Sequence, residues 1–206
     1  MGKNRLEAFS DGVLAIIITI MVLELKAPHS TEWEEIRKLV PVLISYVMSF
    51  LFVGVYWGNH HHLLHIVKRM SSGIMLANLN LLFWLSLVPF ATGWISESHF
   101  ASLPVALYAL LLDICGISYT ILQRTIASCH KHNHELDVIA TGQKRKGIIS
   151  VVLYTAAIPL AYFNPYISVA IFLSWRFTGW YRIRILNGYL KRSDQPIALT
   201  LQLVPE

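Results

Sequence analysis

The sequence predicts an all-α integral membrane protein with six transmembrane helices per subunit and both termini cytoplasmic. Three observations predict it. Of the 206 residues, 55% are apolar and 14% charged, and the mean hydropathy is +0.53, a composition of multi-pass membrane proteins rather than soluble domains. The apolar residues gather into six segments, at about 9–25, 39–57, 74–95, 104–126, 148–163 and 165–181, divided by charges and turn residues that a bilayer excludes. The basic residues then sort by side. With six spans, one side holds Lys3, Arg5, Lys68, Arg69, Arg124, Lys131, Lys144, Arg145, Lys146, Arg176, Arg182, Arg184, Lys191 and Arg192, which is 14 of the 17, and the other holds Lys26, Arg37 and Lys38. Cytoplasmic loops are enriched in Lys and Arg, so the 14-to-3 split puts both termini in the cytoplasm and the protein in the cell membrane as a multi-pass chain.

The same split accounts for the net charge of +5, so no nucleic-acid partner is expected. Cys115 stands in an apolar run and Cys129 in a basic loop, which makes no disulfide framework. No small-residue cleavage site follows Leu23, so the first segment is expected to stay as a span. Residues 1–185 read as a six-helix transmembrane domain and residues 186–206 as a cytoplasmic tail.

The first segment, RLEAFSDGVLAIIITIMVLELKAP, sets a polar cluster (Arg5, Glu7, Ser10, Asp11) before a run from Gly12 to Leu23 whose one polar side chain is Thr19. A span takes about 20 residues to cross ~30 Å of hydrocarbon, so the cluster lies within or near the bilayer and needs partners. It is either a tie to neighbouring helices or part of a transport path. Ile16, Thr19, Ile20 and Leu23 share one helical face by their spacing. The opposite face (Leu14, Ile18, Met21, Leu25) is equally apolar, so periodicity alone does not say which face is buried.

Thr31 with Glu34 reads as a capped start to the second helix, with Glu32 and Glu35 beside it. These acids and Glu24 can also concentrate cations at an outer mouth. The second helix is expected to continue past Trp57 through His60, His61, His62 and His65. His61 and His65 stand four apart, but pairing with the polar start of the first helix is a better use of His61 than a metal. The third segment holds Asn78 and Asn80 near its cytoplasmic start, where amides bond between helices, and Pro89, which kinks or ends the helix. Asp113 lies near the middle of the fourth segment and is either a functional group or a buried tie.

Residues 123–146 read as the longest loop. Its Cys129, His130, His132 and His134 look like metal ligands, but lysines surround them and no second cluster completes a site. Asn164-Pro165 forms a tight turn between the last two spans, and Arg176 snorkels at the cytoplasmic end of the sixth.

The first helix resembles the signature helix of the lysosomal (transmembrane protein 175) potassium channel family and its bacterial members. The resemblance rests on Arg5, three residues, then Phe9-Ser10-Asp11, followed by Gly12-Val13 and a run ending Leu23-Glu24-Leu25. Tyr56-Trp57-x-x-His60-His61 and the stretch 80–92 (NLLFWLSLVPFAT) also look like family segments, and the match thins after about Ser128. The chain departs from the usual pattern at Leu14 and at Ile17-Ile18, positions that face away from the expected pore.

The resemblance implies a potassium channel whose pore forms between the first helices of a homotetramer. Ile16, Thr19, Ile20 and Leu23 then become rings of four, and Arg5, Phe9, Ser10, Asp11, His61 and Asn80 form a hydrogen-bonded motif network. No TVGYG stretch exists for a carbonyl filter, so selectivity rests on side chains: a threonine hydroxyl ring and apolar rings that force partial dehydration and can gate by dewetting. Modest selectivity for K+ over Na+ follows, with the lipid bilayer and monovalent cations as partners, K+ as the permeant ion, and no cofactor and no metal beyond it. The alternative is a secondary transporter coupling ion or proton movement through Asp11 or Asp113, against which the lack of inverted repeats weighs weakly. No Ser, Cys or Asp stands at a spacing that lets the histidines build an enzyme.

Overall fold

The computed structural model describes residues 2–28, 30–65, 67, 70–129 and 134–174, with the backbone alone for 134–146 and 148. Among the described residues seven helices follow one another: α1 (Lys3–Val22), α2 (Trp33–His65), α3 (Ser72–Ser86), α4 (Val88–Glu97), α5 (Ser102–Cys129), α6 (His134–Phe163) and α7 (Pro165–Ser174). The stretches Trp33–His65, Ser72–Glu97 and Ser102–Cys129 are each long and apolar enough to cross a membrane. α1 is 20 residues long, but Lys3, Arg5, Glu7 and Asp11 occupy its first half.

Local chemistry explains the joints. Ser71, in extended conformation, caps α3 by accepting the Ile74 N–H at 3.2 Å. α3 and α4 form one kinked apolar stretch. Pro89 has no N–H to offer the carbonyl a turn back, so the helix breaks at Leu87, whose N–H reaches Trp84 O at 3.3 Å. α4 ends in a Schellman motif. The Phe100 N–H bonds Ile95 O (3.0 Å), the His99 N–H bonds Ser96 O (3.2 Å), and both residues are left-handed (φ 50° and 61°) where glycine is usual. Asn164 opens α7: its Oδ1 accepts the Tyr166 N–H at 3.0 Å, with Pro165 in the first helical position, so the tight turn is a capped helix start.

Two expectations change. The loop read for residues 123–146 is mostly helix, because α5 runs to Cys129 and α6 begins at His134. Charged residues leave the apolar band without leaving the helix, since Glu, Gln, Lys and Arg are good helix formers. α2 starts at Trp33 with Glu34 and Glu35 in its first turn, so the acids stand at the helix start but Thr31 lies two residues before it. His130, Lys131, His132, Arg176 and residues 186–206 lie outside the described residues.

The core is one apolar cluster. α5 packs along α6 and α3, while α1 lies against α2, α3 and α4. From α1 the cluster takes Leu14, Ile17 and Met21, and from its neighbours Phe52, Leu64, Ile74, Leu81, Leu112 and Tyr154. α1 is thus held on one side and bare on the other.

Candidate functional site

The buried residues of α1 are Leu6, Ser10, Leu14, Ile17 and Met21, a single stripe. The face read from the spacing points the other way. Ile16 is 58% exposed, Ile20 44% and Leu23 73%, and Thr19, Gly12 and Phe9 are exposed beside them. Burial therefore separates the two faces that periodicity left equal. Within that face the Thr19 hydroxyl donates to Ile16 O at 2.9 Å. Its proton is committed to the helix, so the oxygen offers lone pairs outward.

The polar start of α1 is bound to α2 along an antiparallel ladder. Lys3 Nζ donates to His65 O (2.5 Å), Glu7 Oε1 lies 3.3 Å from His61 Nδ1, and Trp57 Nε1 donates to Asp11 Oδ1 (3.0 Å). Each step of four along α1 meets a step of four back along α2, as two antiparallel helices require. The Trp57, His61 and His65 rings run along α2 with centroids 6.1 and 6.3 Å apart.

Behind the ladder runs a fully buried chain. Ser10 Oγ donates to Leu6 O (2.8 Å), Asn78 Nδ2 donates to Ser10 Oγ (2.9 Å), and Asn78 Oδ1 meets His60 Nε2 at 2.6 Å. With the Ser10 proton on Leu6 and the Asn78 amide aimed at Ser10, His60 Nε2 must donate, which assigns its tautomer.

Three of the expected network residues, Asn80, Arg5 and Phe9, stand outside the ladder and the buried chain. Asn80 donates to Ser118 Oγ of α5 (2.9 Å), and Asn78 takes the place given to it. Two residues are about 200° apart on a helix, so both asparagines cannot face α1. His61 does meet the motif helix, but at Glu7; His60, rotated by about 100°, joins the buried chain. Arg5 and Phe9 are exposed, outside that chain. Glu7 was missed as a partner, although its place midway between Lys3 and Asp11 matches His61 midway between Trp57 and His65.

Further out, Ser49 Oγ bonds Thr92 Oγ1 (2.7 Å) and Tyr108 Oη (2.9 Å), tying α2, α4 and α5 inside the core. Glu24 is half-buried against α4, where a Cβ on Gly93 would meet its carboxylate at 3.4 Å. Asp113 is buried, and its Oδ2 accepts from Thr155 of α6 at 2.7 Å. Among the described residues no group of three or more His, Cys, Asp or Glu is placed to hold a metal.

An all-helical chain with apolar spans and a polar motif tied between helices defines an integral membrane protein. The family model for the endosomal/lysosomal potassium channel TMEM175 matches residues 5–89, which hold α1 from Arg5 on, α2 and α3. A potassium channel of Chryseobacterium sp. (strain P1-3) is 50% identical over 172 residues, covering 84% of this chain and 89% of that one. A potassium channel of Chamaesiphon minutus is 31% identical over 82% of this chain and 88% of that one. The crystal structure of a lysosomal potassium-selective channel TMEM175 homologue from Chamaesiphon minutus superposes with a TM-score of 0.74 at 28% identity, covering 87% of this chain and 97% of that one. The chain belongs to the TMEM175 family of potassium channels.

Proposed function

We infer that the protein conducts K+ across the cell membrane, with modest selectivity over Na+, through a pore lined by α1 of four identical subunits. The observation that carries this reading is the division of α1. One face is bolted to α2, α3 and α4, and the other leaves Ile16, Thr19, Ile20 and Leu23 bare. Those four residues span about 10 Å along the helix at 1.5 Å per residue. The relatives named as potassium channels support the ion.

In this reading Ile16, Ile20 and Leu23 form apolar rings that strip part of the hydration shell and close the path when they dewet. The Thr19 ring supplies oxygen lone pairs between them. K+ holds its water less tightly than Na+ and loses less at such a constriction. Six spans with both termini cytoplasmic place Lys3, Glu7 and Asp11 near the inner entrance. The ladder to α2 and the Ser10–Asn78–His60 chain fix the tilt and rotation of α1, and so the radius of the path.

The test is purified protein in liposomes, with K+ flux measured under a K+ gradient and Na+ substituted in parallel. Rapid uncoupled flux favouring K+, with the preference reduced by Thr19→Ala, is expected. Flux that requires a proton gradient and is abolished by Asp11→Asn or Asp113→Asn would establish a coupled transporter instead.

A further inference from the structure

Asp113 stands apart from α1 and from the ladder. It sits about 16 Å along α5 from Ser102 and about 24 Å from Cys129, and so in the middle of an apolar span. It is 6% exposed, its Oδ2 bonds Thr155 Oγ1 at 2.7 Å, and its Oδ1 has no hydrogen-bond partner. No described basic group stands near enough to serve as a counter-ion. On α5 itself the titratable or charged groups are Tyr108, Cys115, Tyr119, Arg124 and Cys129, with Arg124 three turns away. α3 carries none, α4 carries Glu97 at its last residue, and the described side chains of α6 carry Tyr154 and Tyr162. From α2, Tyr56 Oη lies within 3.9 Å of a Cβ built on Gly116, and from α7 the ring of Phe172 packs on Tyr108 and Tyr154.

A carboxylate with one oxygen unbonded and no cation beside it is the costly way to bury this group. A neutral carboxyl removes the charge, and the 2.7 Å bond that the Thr155 hydroxyl donates to the ionised form is then reversed, with Oδ2–H donating to the Thr155 oxygen. The remaining Oδ1 is then the carbonyl oxygen of a neutral acid. Asp113 lies in the middle of an apolar span, so in a bilayer no bulk water replaces the missing partner of Oδ1.

We propose that Asp113 is a proton-binding site: the folded protein holds this carboxyl in its neutral form, as a hydrogen-bonded clamp between α5 and α6 that opens when the proton is lost. On ionisation the O–H bond breaks, its electron pair stays on the carboxylate and the proton leaves to water. The folded form binds a proton that the unfolded chain releases, so clamp stability is present at low pH and lost as pH rises. The site lies outside the proposed pore, and its test does not depend on which helix lines the path.

The experiment compares wild type, Asp113→Asn and Thr155→Val in nanodiscs at neutral pH, by infrared difference spectroscopy and by melting across neutral to alkaline pH. The wild type is expected to show a protonated-carboxyl band that Asp113→Asn lacks. Asparagine copies the shape of the neutral acid, so this variant should melt like wild type at neutral pH and lose the alkaline fall. Thr155→Val should shift the band, because the acid loses its acceptor. The proposal is overturned if the wild type and Asp113→Asn share the same carboxyl spectrum, or if Asp113→Asn melts with the same alkaline fall. Should Asp113→Asn fail to fold, a wild-type carboxyl band that Thr155→Val leaves unmoved overturns it equally.

Discussion

The indole N–H of Trp57 donates to the carboxylate of Asp11 at 3.0 Å, and this bond is the top rung of the ladder that fixes α1 on α2. It joins the last residue of the Phe-Ser-Asp motif to the aromatic of the second matched segment, residues 46 positions apart. Trp57→Phe keeps the ring and removes the donor. A hydrogen bond to a charged group contributes about 1.5–3 kcal/mol, and the half-exposed site puts the expected loss at the lower end. A fall in melting temperature, with K+ flux measured alongside, checks it.

Asn78 carries a heavier load than Asn80. Asn78→Leu leaves the buried His60 Nε2 without its acceptor, at roughly 1–3 kcal/mol, and removes the donor to Ser10 Oγ, which keeps its bond to Leu6 O. Asn80→Leu frees one serine hydroxyl on the α3–α5 side. Thermal unfolding of the two variants in detergent should rank Asn78→Leu well below Asn80→Leu. Equal melting temperatures would contradict the buried chain.

Thr19→Ser keeps the hydroxyl and Thr19→Val keeps the shape. With the Thr19 proton bound to Ile16 O, the lone pairs are the part that would meet an ion in a pore lined by α1. Reversal potentials under K+ and Na+ should leave Thr19→Ser near wild type and bring Thr19→Val toward equal permeability.

Gly93 allows the close approach of Glu24 to α4. Alanine puts a Cβ at 3.4 Å from the carboxylate, a tight contact that a small side-chain shift relieves; leucine cannot be accommodated that way. Gly93→Ala should fold with little change, and Gly93→Leu should lose stability by about 1–3 kcal/mol through overpacking. Paired melting curves test the difference.

Much of the helical framework was legible because a bilayer enforces it. Apolar runs and charge-rich breaks are strong signals, and Pro89 and Asn164-Pro165 mark their joints correctly. What apolarity does not report is helicity outside the apolar runs, so the charged first half of α6 carries no helix signal. The left-handed His99 and Phe100 gave no signal, since neither is the glycine that such a terminus usually recruits. At the site, residue types were readable and rotation was not. Choosing His60 over His61, or Asn78 over Asn80, needs the rotation of each helix to within about 100°, and only packing against a third helix sets it. For the same reason the spacing of Ile16, Thr19, Ile20 and Leu23 defined a face without saying that it would be left bare.

The central claim is that this bare face meets the ions, and thiol modification tests it most directly. In a Cys129→Ser background, which removes the exposed native thiol and leaves the buried Cys115, Ile16→Cys channels would be reconstituted and treated with a positively charged thiol reagent. Ala156→Cys, on an exposed position of α6, is the control. The account predicts that K+ current through Ile16→Cys falls by most of its value while current through Ala156→Cys is unchanged. Full current through a labelled Ile16→Cys channel would contradict a pore lined by α1.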